Sequence, residues 1–303
     1  MPDSLLTPGE DGTDPKKLLE RVYGDLSEPA HATAERLIGR AILTPRNADV
    51  QIINDHAADI FPGELRMYHS ADSVPELEDS AYPPGTSPPS HIPPLPSRSW
   101  PPPSHTSASH PPNTEVLNTL NPAGLPAHEL KLKVGMIVIL LRNINLAQGL
   151  ANGTRLIIRH LSQNVIQAEI VTGADGVRGR LGCIPRLTMM VQAGDDNPPF
   201  TFTRRQFPLR AAFAMTINKA QGQTFSRVGV FLPTPVFALG QLYVALSRCG
   251  GPRGVFVMIA HPQLPGAPEE DRVTYTYKIV SREMFDGLLA PHTTDAPTDM
   301  MEI

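Results

Sequence analysis

Two cysteines, Cys183 and Cys249, are all that 303 residues hold, and neither sits in a CxxC or Cys/His spacing. That scarcity speaks against a zinc site and suits a reducing compartment. Aromatic residues make up only 6% of the chain. The longest strongly apolar run is MIVILL at 136–141, far too short to span a bilayer, so no membrane partner is expected. The N-terminus carries early acids and no apolar h-region, so no signal peptide is expected. Net charge is only −4, which by itself argues for no polyanionic partner. What is plentiful is proline, at 33 residues, about twice ordinary usage. Hydrophobic content of 41% can still supply a core, and the length suits one large domain or two modest ones.

Composition divides the chain. Residues 1–35 form a polar lead-in with a short helical stretch around KKLLERVYGDL. In 36–82, AILT reads as a buried strand that Pro45 ends. Asn47 is the expected N-cap of the next helix, on which Val50, Ile53, Ala57 and Ile60 recur at helical spacing. Residues 83–112 are almost wholly Pro, Ser and His and cannot bury enough surface to offset chain entropy. A disordered insert is expected there, inert or a ligand for a proline-binding domain. Residues 113–200 alternate short β-runs with Gly- or Asn-rich turns, which implies a small barrel. In 201–285, AAFAM, VGVFL and GVFVMIA read as strands of a parallel sheet. ALGQLYVALSR reads as a helix with Leu239, Leu242, Tyr243 and Leu246 on one face. A disordered tail is expected over 286–303.

Charge is uneven beneath the near-neutral total. Between 131 and 227 there are 13 Lys/Arg against 4 Asp/Glu, a local balance of +9. A basic middle of that kind fits a phosphate-backbone surface, or simply an Arg-rich solvated face.

Two stretches carry candidate chemistry. Gln241 and Arg248 are seven residues apart, which puts them on one helical face away from the Leu/Tyr stripe. A helix-terminal guanidinium beside Ser247 is a two-pronged donor suited to phosphate oxygens, or a plain complement to the helix dipole. In MTINKAQGQTF, a strand end delivers Thr216, Asn218, Lys219, Gln221 and Gly222 to one rim. Hydroxyl, amide and ammonium groups there fit a sugar–phosphate backbone, or an ordinary capped loop.

TINKAQGQTF followed by GQLYVALSR resembles motifs V and VI of superfamily 1 DNA helicases of the petite-integration-frequency (PIF) group, including the helicase ends of Helitron transposons. GRAILTPRNADVQIIN is similar to the group's motif IV, and LNPAGLPAHELKLKVGMIVILLRNINLAQGLANGTRLIIRHL to its 2B module. The likeness covers roughly 36–82 and 113–262. It implies an α/β fold: a RecA-like second domain (2A) of the P-loop NTPase class, carrying an inserted SH3-like β-barrel (2B). It implies that Arg248 is an arginine finger for the γ-phosphate, with Gln241 and Ser247 as neighbours and Arg40 also approaching the nucleotide. Thr216, Asn218, Lys219, Gln221 and Gly222 would contact single-stranded DNA. The group's usual residue at position 218 is histidine, and asparagine cannot carry a proton in its place. Asn143, Asn152 and Thr154 fall in the 2B stretch, with DNA contact or turn formation as their roles.

The implied activity is ATP-driven 5′-to-3′ DNA unwinding with Mg²⁺, in repair, recombination, telomere maintenance or transposition, and by family a nuclear protein. Yet no Gly-x4-Gly-Lys occurs in the 303 residues, and no apolar strand ends in adjacent acids. Both are needed to cradle the phosphates and hold the metal. The chain therefore reads as the C-terminal part of such a helicase, inactive alone, with a first RecA-like half acting in trans. The alternative is a non-catalytic module that binds single-stranded DNA.

Overall fold

The computed structural model describes residues 14–74, 114–122, 124–173, 176–194, 198–259, 275–277 and 300–302. The expected insert at 83–112 lies outside the described residues. In chain order the elements are α1 (Pro15–Tyr23), α2 (Ala34–Ile38), β1 (Arg40–Thr44), α3 (Asn47–Ile60), β2 (Arg66–His69), β3 (Ala71–Ser73), α4 (Thr114–Thr119), β4 (Glu129–Leu132), β5 (Ile137–Leu140), β6 (Arg155–Leu161) and β7 (Val165–Ile170). There follow β8 (Leu181–Pro185), β9 (Leu187–Val191), β10 (Phe202–Gln206), β11 (Leu209–Ala211), β12 (Ala214–Thr216), β13 (Arg227–Leu232), α5 (Gln241–Leu246) and β14 (Val255–Ile259). Last come β15 (Tyr275–Tyr277) and β16 (Met300–Glu302), which pair antiparallel. The second of these lies in the stretch expected to be a disordered tail, so that expectation fails over those three residues.

Four strands form a parallel sheet in the order β12-β1-β13-β14. Both faces are covered, as the near-continuous apolar runs require. Alternate residues of β1 point to opposite faces. Ile42 joins the core with α1 and α3, while Ala41 and Leu43 join a second core with Leu242 and Ala245 of α5. Helix α1 starts on Pro15 behind Asp14, whose carboxylate accepts from the Lys16 N–H at 2.9 Å. It lies directly on β13 at Gly229, where a β-carbon would come within 2.8 Å of Val22 Cγ2. Tyr23 anchors it, its hydroxyl donating to the Phe213 carbonyl at 2.8 Å. In α3, Val50, Ile53 and Ala57 are buried as expected. Asn47 is not its N-cap, however: it is the first helical residue, and Arg46 takes the cap position without a side-chain bond.

The antiparallel part is a five-stranded sheet, β11-β5-β6-β7-β8, flanked by the β3-β10-β9 sheet and the β2-β4 pair. The expectation of a single strand AAFAM is corrected here. β11 pairs with β5 through Leu209↔Leu140, whereas β12 pairs with β1 through Ile42↔Ala214, so the run splits between two sheets. The two residues between them, Ala212 and Phe213, are the buried joint.

The basic middle is only partly a surface: Arg142, Arg159, Arg178, Arg180, Arg205 and Arg227 are exposed, but other cations turn inward. Arg155 and Arg204 are wholly buried, and Arg186 stacks over the rings of Tyr68 and Phe207 at 5.7 and 4.8 Å. Arg204 is a hub. It donates to both Asp72 oxygens, closest at 2.6 Å, and to the carbonyls of Leu117, Leu120 and Pro126 at 2.9, 3.0 and 3.1 Å. Asp72 precedes residues 75–113 and Leu117 follows them, so both ends of that segment are pinned to one guanidinium. Excising 83–112 should therefore move the melting temperature by no more than a few degrees, because loop entropy changes slowly with length. A large drop in a thermal melt would show that the insert packs.

Beside the hub, Ser70 Oγ donates to Asp72 at 2.6 Å and meets His128 Nδ1 at 2.8 Å. The hydroxyl proton is engaged by Asp72, so His128 donates from Nδ1. Burial, opposed by Asp72, lowers the pKa of His128. The unfolded chain then takes up a proton at higher pH than the folded one. Stability present above about pH 6.5 is lost as pH falls through the histidine range. Melting temperatures at pH 7.5 and 5.5 should differ less for His128→Gln than for the parent chain.

Candidate functional site

The candidate residues lie along one segment that crosses the parallel sheet from its carboxyl edge to its amino edge. Thr216 ends β12 opposite Thr44, the last residue of β1, so both stand at the carboxyl edge. A single 3-10 turn, Ile217–Ala220, follows. Ile217 and Ala220 are buried, which turns Asn218 outward, holds Lys219 half-buried, and leaves Gln221 and Gly222 exposed. Gly222 has φ +80°, a conformation that a side chain would strain. Thr216 is nearly buried and makes no capping bond.

Lys219 has no hydrogen bond or ion pair for its ammonium among the described residues. Burial, and next the Arg210 guanidinium, lower its pKa. Arg210 is a site residue that sequence reading missed. It donates to Asn47 Oδ1 at 3.4 Å and to the Leu125 carbonyl at 3.1 Å. The only signal for it was its place on the joint before AAFAM, which does not distinguish it from any strand arginine. Two cations thus lie near enough to repel, and one of them reaches the start of α3 at Asn47.

At the amino edge, Arg40 of β1 pairs in register with Arg227 of β13. The Ser226 N–H donates to the Gly39 carbonyl at 2.8 Å. Phe225 is stitched to the end of α5: its N–H donates to the Arg248 carbonyl at 2.8 Å, and the Gly250 N–H donates to its carbonyl at 3.3 Å. The Arg248 guanidinium is half-buried and meets no carboxylate among the described residues. It donates to the carbonyl of Val244 at 2.9 Å, to Ser247 Oγ at 2.9 Å and to the carbonyl of Gln223 at 3.4 Å. It therefore leans on the same segment that carries Gln221.

Two sequence expectations about α5 are corrected. The helix spans only Gln241–Leu246, and it is Gln241, Leu242 and Ala245 that are buried. Leu239 and Tyr243 are 60% and 69% exposed while Leu242 is buried and Leu246 packs on the core, so the four do not share one face. A left-handed Gly240 starts the helix late and rotates Gln241 into the core. There its Oε1 accepts from the Phe237 N–H at 3.2 Å. Gln241 and Arg248 do not share a solvent face.

Arg40 is committed elsewhere, donating to the carbonyls of Val22 and Tyr23 at 2.9 and 3.0 Å, where it complements the end of α1. Asn143, Asn152 and Thr154 make turn bonds: the Asn152 N–H donates to Asn143 Oδ1 at 2.8 Å, and Thr154 Oγ1 donates to the Gly149 carbonyl at 3.0 Å.

Three buried polar atoms in this region have no partner: Gln223 Oε1, Thr234 Oγ1 and Gln241 Nε2. Each such atom costs about 1–3 kcal/mol if left unmet. Gln223 and Gln241 flank the seam stitched at Phe225, between the 223–226 stretch and α5. The seam is also tight. A β-carbon on Gly254 would sit 2.2 Å from the Ser226 carbonyl oxygen and 2.6 Å from Cys249 Sγ. Gly254→Ala should therefore displace the residues after Arg248, lowering stability by roughly 1–3 kcal/mol in urea unfolding. A change of a few tenths would mean that the crossing is slack.

Residues 115–161 match the family model of the DNA helicase Pif1 2B domain. The ATP-dependent DNA helicase PIF1 of Homo sapiens is 26% identical over 289 residues, which cover 93% of this chain and 37% of the human protein. Its counterpart from Danio rerio is 27% identical over 264 residues, 86% of this chain and 34% of that protein. By this match and these relatives, the chain is similar to the PIF-type superfamily 1 helicases. It spans little more than a third of the length of the curated PIF relatives it matches. Among solved structures, the Candida albicans Pif1 helicase aligns with TM-score 0.47 and 23% identity, over 82% of this chain and 51% of that one. A Bacteroides Pif1 bound to single-stranded DNA aligns with TM-score 0.45 and 24% identity, over 81% and 49%. The stretch that matches the 2B model lies in the antiparallel part, and the four-stranded parallel sheet beside it is consistent with a RecA-like domain.

Proposed function

We propose that this chain is the C-terminal part of a PIF-type ATP-dependent DNA helicase, carrying the DNA grip and the arginine finger. A single segment, 216–226, supports the reading. It begins at the carboxyl edge, carries Lys219, and ends hydrogen-bonded to Arg248 at the amino edge. Single-stranded DNA would lie on Thr216, Asn218, Lys219, Gln221 and Gly222. A terminal phosphate would meet Arg248, whose guanidinium meets no carboxylate among the described residues and is held by backbone and hydroxyl oxygens. Gln241 is a neighbour that shapes the seam. The partner would be a first RecA-like half in trans, and the compartment the nucleus.

The residues fit a phosphate but not its metal. Among the described residues no group of three or more His, Cys, Asp or Glu could hold a metal ion. ATP when bound supplies the phosphoryl group to be transferred. This chain's part is to place a guanidinium beside the charge that develops there. With no P-loop in the sequence, purified chain with single-stranded DNA should turn ATP over at well below about 1 s⁻¹. A helicase-like steady-state rate would refute the assignment.

Lys219, a half-buried cation with no carboxylate partner among the described residues, also supports a second reading: a module that grips single strands without a motor. Labelled oligonucleotide at two salt concentrations tests the grip common to both readings. Lys219→Gln should weaken binding at low salt and reduce the log–log salt slope by about 0.7, the value of one phosphate contact on a single strand. An unchanged slope would remove Lys219 from the interface. Among the described residues no helix is long and apolar enough to cross a membrane.

A further inference from the structure

Arg155 opens β6 in the 2B module, but its side chain leaves that module. It is wholly buried at the amino edge of the parallel sheet. There it donates to the carbonyls of Ile38 and Arg40 at 2.9 Å each, Leu37 at 3.3 Å and Ala212 at 3.5 Å. Those carbonyls belong to three separate pieces of the 2A domain: the end of α2, the start of β1, and the joint between β11 and β12. Its guanidinium carbon lies 5.1 Å from the ring centroid of Phe225. Its Nε has no partner, and no carboxylate pairs with it among the described residues.

A buried cation without a counter-ion is costly, and an apolar side chain of similar volume is often neutral or better for stability. Stability alone therefore does not account for arginine here. Position does. Phe225, on which the guanidinium rests, is bonded on both sides to the end of α5, through the Arg248 carbonyl and the Gly250 N–H. The Arg248 guanidinium in turn leans on Gln223, two residues back.

We infer that Arg155 is a positioning residue through which the 2B module sets the 223–226 segment, and with it Arg248. A displacement of β6 against the parallel sheet must carry the guanidinium with it. Phe225 then follows, because four carbonyls and one ring cannot all be kept by a shifted planar donor. A strand of DNA that moves the 2B module is thereby felt at the arginine. Only that last consequence for nucleotide rests on the proposed function; the mechanical link does not.

The test compares Arg155→Met, which keeps volume and loses the charge, with Arg155→Lys, which keeps the charge and loses the planar fork. Urea unfolding measures the global change. Native-state hydrogen exchange measures Phe225 and Gly250 against two 2B amides, Gly135 (to Ile158 O) and Gly153 (to Leu140 O). In Arg155→Met, exchange at Phe225 and Gly250 should quicken tenfold or more while Gly135 and Gly153 hold, with Arg155→Lys in between. Unchanged Phe225 and Gly250, or all four amides quickening in step with a global loss, would overturn the inference. Should Arg155→Met fail to fold, Arg155→Lys carries the same comparison. If the exchange result holds but the chain never responds to nucleotide, the proposed function fails and the link stands. If exchange is unaltered while Arg248 still acts on nucleotide, the reverse is true.

Discussion

Arg204→Met should cost about 3–5 kcal/mol of unfolding free energy, the usual penalty for removing one partner of a buried pair. Arg204 and Asp72 both have fully inaccessible side chains. With the guanidinium gone, Asp72 keeps only Ser70 as a donor, and the carbonyls of Leu117, Leu120 and Pro126 lose theirs. The damage should fall where the chain leaves and re-enters around residues 75–113, so α4 and the β3-β10-β9 sheet should loosen first. Arg204→Met with Asp72→Leu should recover part of the loss, since the lone buried carboxylate is gone while the Leu120 and Pro126 carbonyls stay unmet and Leu117 keeps only the Leu120 N–H. Urea unfolding of the single and double variants decides it. A single variant within about 1 kcal/mol of the parent would mean that the pair is not buried in solution.

The second large effect concerns Arg248. Joined to a P-loop-bearing first half of a PIF relative, this chain should support DNA-stimulated ATP turnover. Arg248→Ala should then lower it by about 10³–10⁵, the usual contribution of an arginine finger in an assembled site. Affinity for single-stranded DNA should stay within about twofold, because Arg248 lies at the amino edge and the proposed grip at the carboxyl edge. Arg248→Lys should restore little, since an ammonium lacks the planar fork. A chimera as active with alanine as with arginine would assign Arg248 to the bonds it makes with Val244 and Ser247 and to nothing else.

Much of the 2A domain was legible along the chain because its strands are short apolar runs set between strong breakers. AILT before Pro45 and VGVFL before a proline-containing loop are of that kind, and both are strands of the parallel sheet. The ordered motifs of the family were equally local, which is why the resemblance could be read from them. Two things were not legible. α5 begins at a left-handed Gly240 rather than upstream, and that one backbone choice inverts which face holds Gln241, Leu239 and Tyr243. AAFAM looks like one strand because residues 211–215 are all apolar, yet two sheets compete for its ends.

The resemblance to the family, the run of apolar strands and the missing P-loop were determined by the sequence itself, because each depends on residues close together in the chain. Where the charge goes was decided only by tertiary structure. A guanidinium's fate depends on which carbonyls and rings surround it, and those come from segments tens to more than a hundred residues away. So Arg155 and Arg204, counted with the surface cations of a basic middle, became internal braces, while Lys219 and Arg248 meet no carboxylate among the described residues.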